Sequence, residues 1–282
     1  MRFNLISNIA NGVGLQQDYE LLRRELEKRG HTVQGVQFNA KPFLITPADV
    51  NIFLEVVVPT AFSAAKQQWV VPHPEWWFEG WGDYQWDLVL AKTHDCYNIF
   101  APKFGPRCRY IGWLARDLYN PDIPRERRYL HVAGKSHFKN TTAVREGCQI
   151  AGVPLTLVAE PTRVTNTHLA FMMNSHFCQI MPSAYEGYGH VLHEALGAGQ
   201  IVITTDAPPM NELTPTVLVR SEGTRKHHAG LLHSVSARDV ARAIHVVMKM
   251  SPSEAQQWSD RARAQFLQDE QDFQYALYEL LK

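Results

Sequence analysis

Apolar and polar positions alternate along this chain in two rhythms that take turns. Residues 3–7 form a short apolar run that reads as a buried strand, and a turn with two glycines follows. From Leu15 to Arg29 the apolar residues Leu15, Tyr19, Leu22 and Leu26 recur at helical spacing, and Gly30 ends the helix as a C-cap would. Further strands are predicted at 32–38, 50–57, 69–71, 88–91 and 110–112. Residues 120–128 carry two prolines and a cluster of charge, so they read as a linker. The rhythm then restarts, with strands expected at 129–133, 155–158, 177–181 and 201–204. Helices are expected at 141–150, 190–196 and 237–250, with a long last helix from near Ser253. Such β-α-β alternation predicts an α/β fold with two Rossmann-like, doubly wound parallel-sheet domains facing a cleft. The expected domains are 1–124 and 125–282, with the last helix able to pack back on the first.

Composition narrows the classes. The 282 residues are 45% hydrophobic and 20% charged, as in an ordinary globular protein. The 28 Lys and Arg balance 28 Asp and Glu, so no whole-molecule attraction to nucleic acid or anionic lipid is expected. Cys96, Cys108, Cys148 and Cys178 form no C-x-x-C pair, which argues for free thiols in a reducing compartment rather than zinc or disulfides. The polar start after Met1 and the lack of a long apolar run predict a cytoplasmic protein without integral membrane association.

Most of the chemistry lies between Met181 and Gly199. A strand runs into a turn containing Gly187 and Gly189, and a helix follows whose positive end suits phosphate. Glu186 sits in the turn and Glu194 on the helix that follows. Two carboxylates beside an anion site are poor phosphate ligands but good acceptors for sugar hydroxyls. On spacing alone, an N-cap acid and a surface glutamate beside a structural turn fit as well.

The string Pro182-Ser183-x-x-Glu186-Gly187-Tyr188-Gly189-x4-Glu194-Ala195 resembles the E-x7-E signature of retaining GT-B-fold glycosyltransferases of the family-four type. The likeness continues through the return strand at 201–204 to residues 206–213, and covers about residues 129–220. It implies that Glu186 binds hydroxyls of the transferred sugar and Glu194 the ribose of the nucleotide, with Gly187, Tyr188 and Gly189 facing the sugar and diphosphate. The family's phosphate clamp follows the first strand of the second half, where this chain carries Lys135 and Lys139 in place of the usual arginine and lysine. Lysine gives a point charge without a fork, so a different clamp geometry is expected. In related enzymes a glycine turn between the first strand and helix lies over the diphosphate. Here that turn holds Gly12 and Gly14, which also read as a plain tight turn. The donor first expected is a UDP-sugar, and a metal-independent reaction follows from the resemblance.

The stretch from Val71 to Trp81 opens from a predicted strand. His73 is a candidate catalytic residue, and Glu75, Trp76 and Trp77 are candidates for the acceptor, although the aromatics also read as a packed loop. The acceptor is expected to be a saccharide or small molecule. Two alternatives stand beside it. One is a DNA glycosyltransferase acting on a hydroxymethylated pyrimidine. Its basis is the run from Lys103 to Arg145, with ten Lys and Arg against Asp117, Asp122 and Glu126. The other is a non-catalytic sugar-nucleotide-binding protein.

Overall fold

In the computed structural model, which describes residues 1–12, 14–161 and 164–282, the two rhythms become two parallel sheets covered by helices. The chain divides into two compact units. The first holds Met1–Ala115, His227–Gly230 and Glu270–Lys282; the second holds Arg116–Lys226 and Leu231–Asp269.

The first unit runs β1 (Arg2–Ser7), α1 (Gly14–Lys28), β2 (Thr32–Gln37), β3 (Ala48–Leu54), β4 (Ala65–Val71), β5 (Leu88–Ala91), α2 (His94–Phe104) and β6 (Cys108–Tyr110). Its strands pair in parallel in the order β2-β1-β3-β4-β5-β6. The central strands β3, β4 and β5 carry apolar, buried runs where both faces are covered, whereas the edge strands β2 and β6 are more polar and partly exposed. Phe53, Val70 and Val89 pack with Cys96, Phe100 and Phe104, which lie four residues apart on α2. That helix went unread in the sequence because it opens on polar residues and contains Pro102. Its start is fixed by Thr93, whose side chain accepts from the Cys96 amide at 3.1 Å. β3 ends three residues short of the predicted 57, since Glu55 takes a left-handed φ of 66° and turns the chain away.

The rest of the chain runs β7 (Glu126–Gly134), α3 (Thr141–Ala151), β8 (Leu155–Ala159), α4 (Asn166–Ser175), β9 (His176–Met181), α5 (His190–Gly197), β10 (Ile201–Asp206), β11 (Thr216–Arg220), β12 (Gly223–His227), β13 (Gly230–Ser234), α6 (Ala237–Met248) and α7 (Pro252–Leu281); all of it belongs to the second unit except His227–Gly230 and the part of α7 from Glu270 on. The parallel order is β11-β10-β9-β7-β8, and β12 with β13 makes a separate two-stranded ribbon. One layer of core joins Val144 and Cys148 of α3 to Val240 and Ile244 of α6. The other joins Met172 and Met173 of α4 to Leu192 and Leu196 of α5 and Ala262 of α7. Glu126, Arg127 and Arg128, expected in a linker, instead start β7, with their side chains exposed where the strand leaves the core. Arg127 donates to the Met250 carbonyl at 2.8 Å and lies over the Phe177 ring, which anchors that charged entry.

The α3–α6 contact is tight enough to test. A Cβ at Gly147 would meet Val240 Cγ1 at 2.7 Å and the Ala237 carbonyl oxygen at 3.0 Å. Helix propensity favours alanine over glycine by about 1 kcal/mol, while overpacking a closed core costs about 1–3 kcal/mol. Gly147→Ala is therefore expected to lower stability by about 1 kcal/mol in urea unfolding. A stabilised variant would show that α6 is free to give way.

Candidate functional site

Strand order decides where the second unit can hold a ligand. β7 lies between β8 and β9, and successive connections from it leave in opposite directions, which makes β7/β9 the topological switch point. The two segments singled out in the sequence leave the carboxyl ends of these two strands: the turn at 135–140 follows β7, and the loop at 182–189 follows β9.

Backbone and side-chain bonds fasten the two segments together. The Ala184 amide donates to the Phe138 carbonyl at 2.6 Å, and Asn140 Nδ2 donates to the Pro182 carbonyl at 2.8 Å. Behind the loop, Thr205 Oγ1 donates to the Ser183 carbonyl at 2.6 Å and Thr204 Oγ1 to the Met181 carbonyl at 3.0 Å. The His233 amide of β13 donates to the Ala184 carbonyl at 2.8 Å. Every residue from 181 to 190 is buried. In this frame Glu186 meets Lys139: the Lys139 ammonium contacts Glu186 Oε1, and Ser183 Oγ donates to the same oxygen at 2.6 Å. Lys135 stands exposed one residue after β7.

Gly189 caps α5 at a φ of 82°. A Cβ there would be strained by that φ and would press on Leu192 Cδ1 at 3.0 Å and Glu186 Cγ at 3.4 Å, so only glycine serves. Gly187 and Tyr188 precede it, and the Tyr188 ring stacks on His193 at 3.8 Å. Glu194 is fully buried on α5, and Arg116 Nε donates to its Oε1 at 2.6 Å. Arg116 was not foreseen. Nothing near it in the sequence carries a motif, and its partner lies 78 residues away.

The candidates in the first unit lie at the carboxyl edge of its own sheet. Gly12 has a φ of 72°, its amide donates to Gln16 Oε1 at 3.0 Å, and Gly14 opens α1; Val13 between them lies outside the described residues. His73 follows β4 and joins a buried polar network that sequence reading missed. His73 Nδ1 lies 2.7 Å from Glu55 Oε2, and its Nε2 lies 2.8 Å from the Lys92 ammonium. Lys92 also donates to Asp18 Oδ2 at 2.5 Å and faces the Trp113 ring at 4.5 Å. A carboxylate oxygen only accepts and an ammonium only donates, so His73 Nδ1 donates to Glu55 and Nε2 accepts from Lys92. Glu75 is buried, Trp76 is exposed with an edge contact to His227, and Trp77 is core, packed on Phe100 at 4.9 Å. The aromatic loop packs through Trp77, while the Trp76 and Phe78 rings face outward.

Much of the basic run from Lys103 to Arg145 is spent internally. Arg116 and Lys139 hold the two glutamates, Arg125 donates to the Ala198 and Gly199 carbonyls, and Arg107 donates to the Trp86 carbonyl. Lys103 pairs with Asp83 and Arg128 with Glu126. Among the described residues no group of three or more His, Cys, Asp or Glu could hold a metal ion. All four cysteines are free and buried, and burial pushes the Cys108 and Cys148 thiols up to about 11.

No protein-family model matches the chain, and no curated protein matches it. Solved structures do match in fold. The GtfA/B complex aligns at a TM-score of 0.59 and 16% identity over 93% of this chain, which spans 59% of that one. HepE of Anabaena, in complex with UDP and glucose, aligns at 0.71 and 13% identity over 99% of both chains. Sucrose-phosphate synthase from Thermosynechococcus elongatus aligns at 0.71 and 13% identity, covering 99% of this chain and 98% of that one. The two Rossmann-like parallel-sheet units are those of the GT-B glycosyltransferase structures.

Two buried histidines beside the site give it a pH signature. Burial holds His131 down at about 4 and His193 at about 3, and each ring donates from Nδ1 to a backbone carbonyl, Ile180 and Gly189 respectively. Unfolded histidine titrates near 6.5, so unfolding takes up protons below that value. Stability is full above about pH 6.5 and falls as the pH drops toward the folded values. At pH 5 each histidine costs about 2 kcal/mol. His193→Gln is expected to shrink the loss between pH 7 and pH 5 by about that amount in urea titrations. An unchanged pH dependence would mean that His193 titrates normally.

Proposed function

We propose that this chain is a retaining glycosyltransferase that moves a hexose from a UDP-sugar to an acceptor hydroxyl. One observation carries the reading: the loop with Glu186 and the turn with Lys139 meet at the β7/β9 switch point, against the positive end of α5. A phosphate-bearing ligand suits that corner, and the paired acids suit its sugar hydroxyls. Neighbours in fold include a protein bound to UDP and glucose, which supports the same ligand class.

In this reading Lys135 and Lys139 hold the diphosphate and stabilise the charge that develops as it leaves. Gly187, Tyr188 and Gly189 bring backbone close to the sugar and diphosphate. Glu186 accepts from hexose hydroxyls, and Glu194, oriented by Arg116, accepts from the ribose. The acceptor hydroxyl bonds to the anomeric carbon as the bond to the phosphate oxygen breaks, and the leaving phosphate takes its proton. Positioning and charge stabilisation suffice without a protein nucleophile or a metal ion. In this reading His73, Glu75 and Trp76, at the sheet edge of the first unit, serve a saccharide or small-molecule acceptor, and the Gly12–Gly14 turn is a further donor-binding candidate. The internal pairing of the basic run weighs against DNA. Buried thiols fit a cytoplasmic protein, and no helix among the described residues is long and apolar enough to cross a membrane.

A ligand that binds only the folded chain raises its melting temperature. UDP-glucose and related nucleotide sugars are expected to do so. Lys135→Ala and Glu194→Gln should each weaken the donor roughly tenfold, about 1.4 kcal/mol. Product NMR should show the donor's anomeric configuration kept. No thermal shift with any nucleotide sugar would end the donor reading, and an inverted product would end retention.

A further inference from the structure

The Glu186–Lys139 pair has a consequence for which ligand the site prefers. Both side chains are nearly withdrawn from water, at 11% and 12% exposure, and they neutralise each other. Ser183 Oγ adds a hydrogen bond to the same carboxylate oxygen. Under the donor reading, on which this inference rests, the two charges serve different parts of one ligand. Lys139 serves the diphosphate and Glu186 serves the hexose. A phosphate that draws on Lys139 competes with Glu186 for that ammonium and weakens the contact between them.

The two possible ligands then differ in what they leave behind. A nucleoside diphosphate competes for Lys139 and leaves Glu186 a buried carboxylate whose remaining hydrogen bond, among the described residues, comes from the Ser183 hydroxyl. An uncompensated buried charge is expensive. An intact nucleotide sugar exchanges both partners at once: its diphosphate takes Lys139, and a hexose hydroxyl donates to Glu186. A site that leaves buried polar groups unpaired with one ligand and satisfied with another discriminates strongly between them. We propose that the Glu186–Lys139 ion pair makes this site select the intact nucleotide sugar over the spent nucleoside diphosphate. The same exchange favours release of the diphosphate once the hexose has gone.

The argument predicts an effect opposite in sign to simple loss of a ligand contact. Glu186→Gln keeps the shape and loses the charge, so Lys139 is released for phosphate at no cost. Equilibrium binding to UDP and to the tightest of UDP-glucose, UDP-galactose and UDP-N-acetylglucosamine reads it directly. The wild type is expected to favour the nucleotide sugar over UDP by roughly tenfold or more. In Glu186→Gln, UDP should bind several-fold more tightly than to the wild type, and the preference should fall to about twofold or less. Ser183→Ala removes the last donor to a stranded Glu186, so UDP should bind more weakly there and the preference should widen. Melting temperatures of both variants verify that they fold, and either variant alone decides the sign. Unchanged or weaker UDP binding in Glu186→Gln, or no preference in the wild type, overturns the selectivity role while leaving the donor reading intact. If none of UDP, GDP and ADP binds the wild type, the donor reading fails and the selectivity falls with it.

Discussion

The order of strands in the second sheet is the constraint on which the rest depends. Because β7 sits between β8 and β9, the connections after β7 and β9 diverge, and the carboxyl ends of these strands are where an open parallel sheet of this kind takes its ligands. The chain places its turn at 135–140 on one side and its loop at 182–189 on the other. The first sheet repeats the logic, with β1 between β2 and β3. Its switch point is followed by the Gly12 turn on one strand and by Glu55 on the other. Parallel topology therefore selects the position of the polar residues in both units before any side chain is considered.

What stands at that position is costly for a fold that seeks only stability. Glu194 is fully buried against Arg116, and Lys92 and Asp18 are both 1% exposed. Buried ion pairs roughly break even against apolar packing at best. Apolar layers such as Ile180, Ile203, Ile244 and Val247 carry the stability, and the polar groups ride on them. Side-chain hydroxyls and an amide hold the carbonyls of Met181, at the end of β9, and of Pro182 and Ser183 in the loop that follows, so the loop's geometry is set without help from a ligand.

Legibility from sequence followed the strength of the local signal. The apolar strands and the amphipathic helices α1, α3 and α6 could be read because two-sided burial leaves continuous or 3.6-periodic apolar patterns. α2 and α4 could not, because a proline and polar openings mask them. Glu186, Glu194 and the glycines were legible as a motif with fixed spacing. Lys139 was legible as the second cation after the first strand of the second half. Arg116, Glu55, Lys92 and Asp18 were not legible, because each gains its meaning from partners far away in the chain. His73 could be flagged but not interpreted: its sequence neighbours do not reveal that Glu55 and Lys92 engage both of its nitrogens.

The central claim is that a nucleoside diphosphate docks where the β7 turn meets the β9 loop. Amide hydrogen exchange with and without saturating UDP locates that contact without knowledge of the acceptor. Protection centred on residues 134–140 and 182–194 is the predicted result. Protection elsewhere in the chain, with these two segments unchanged, would contradict the account.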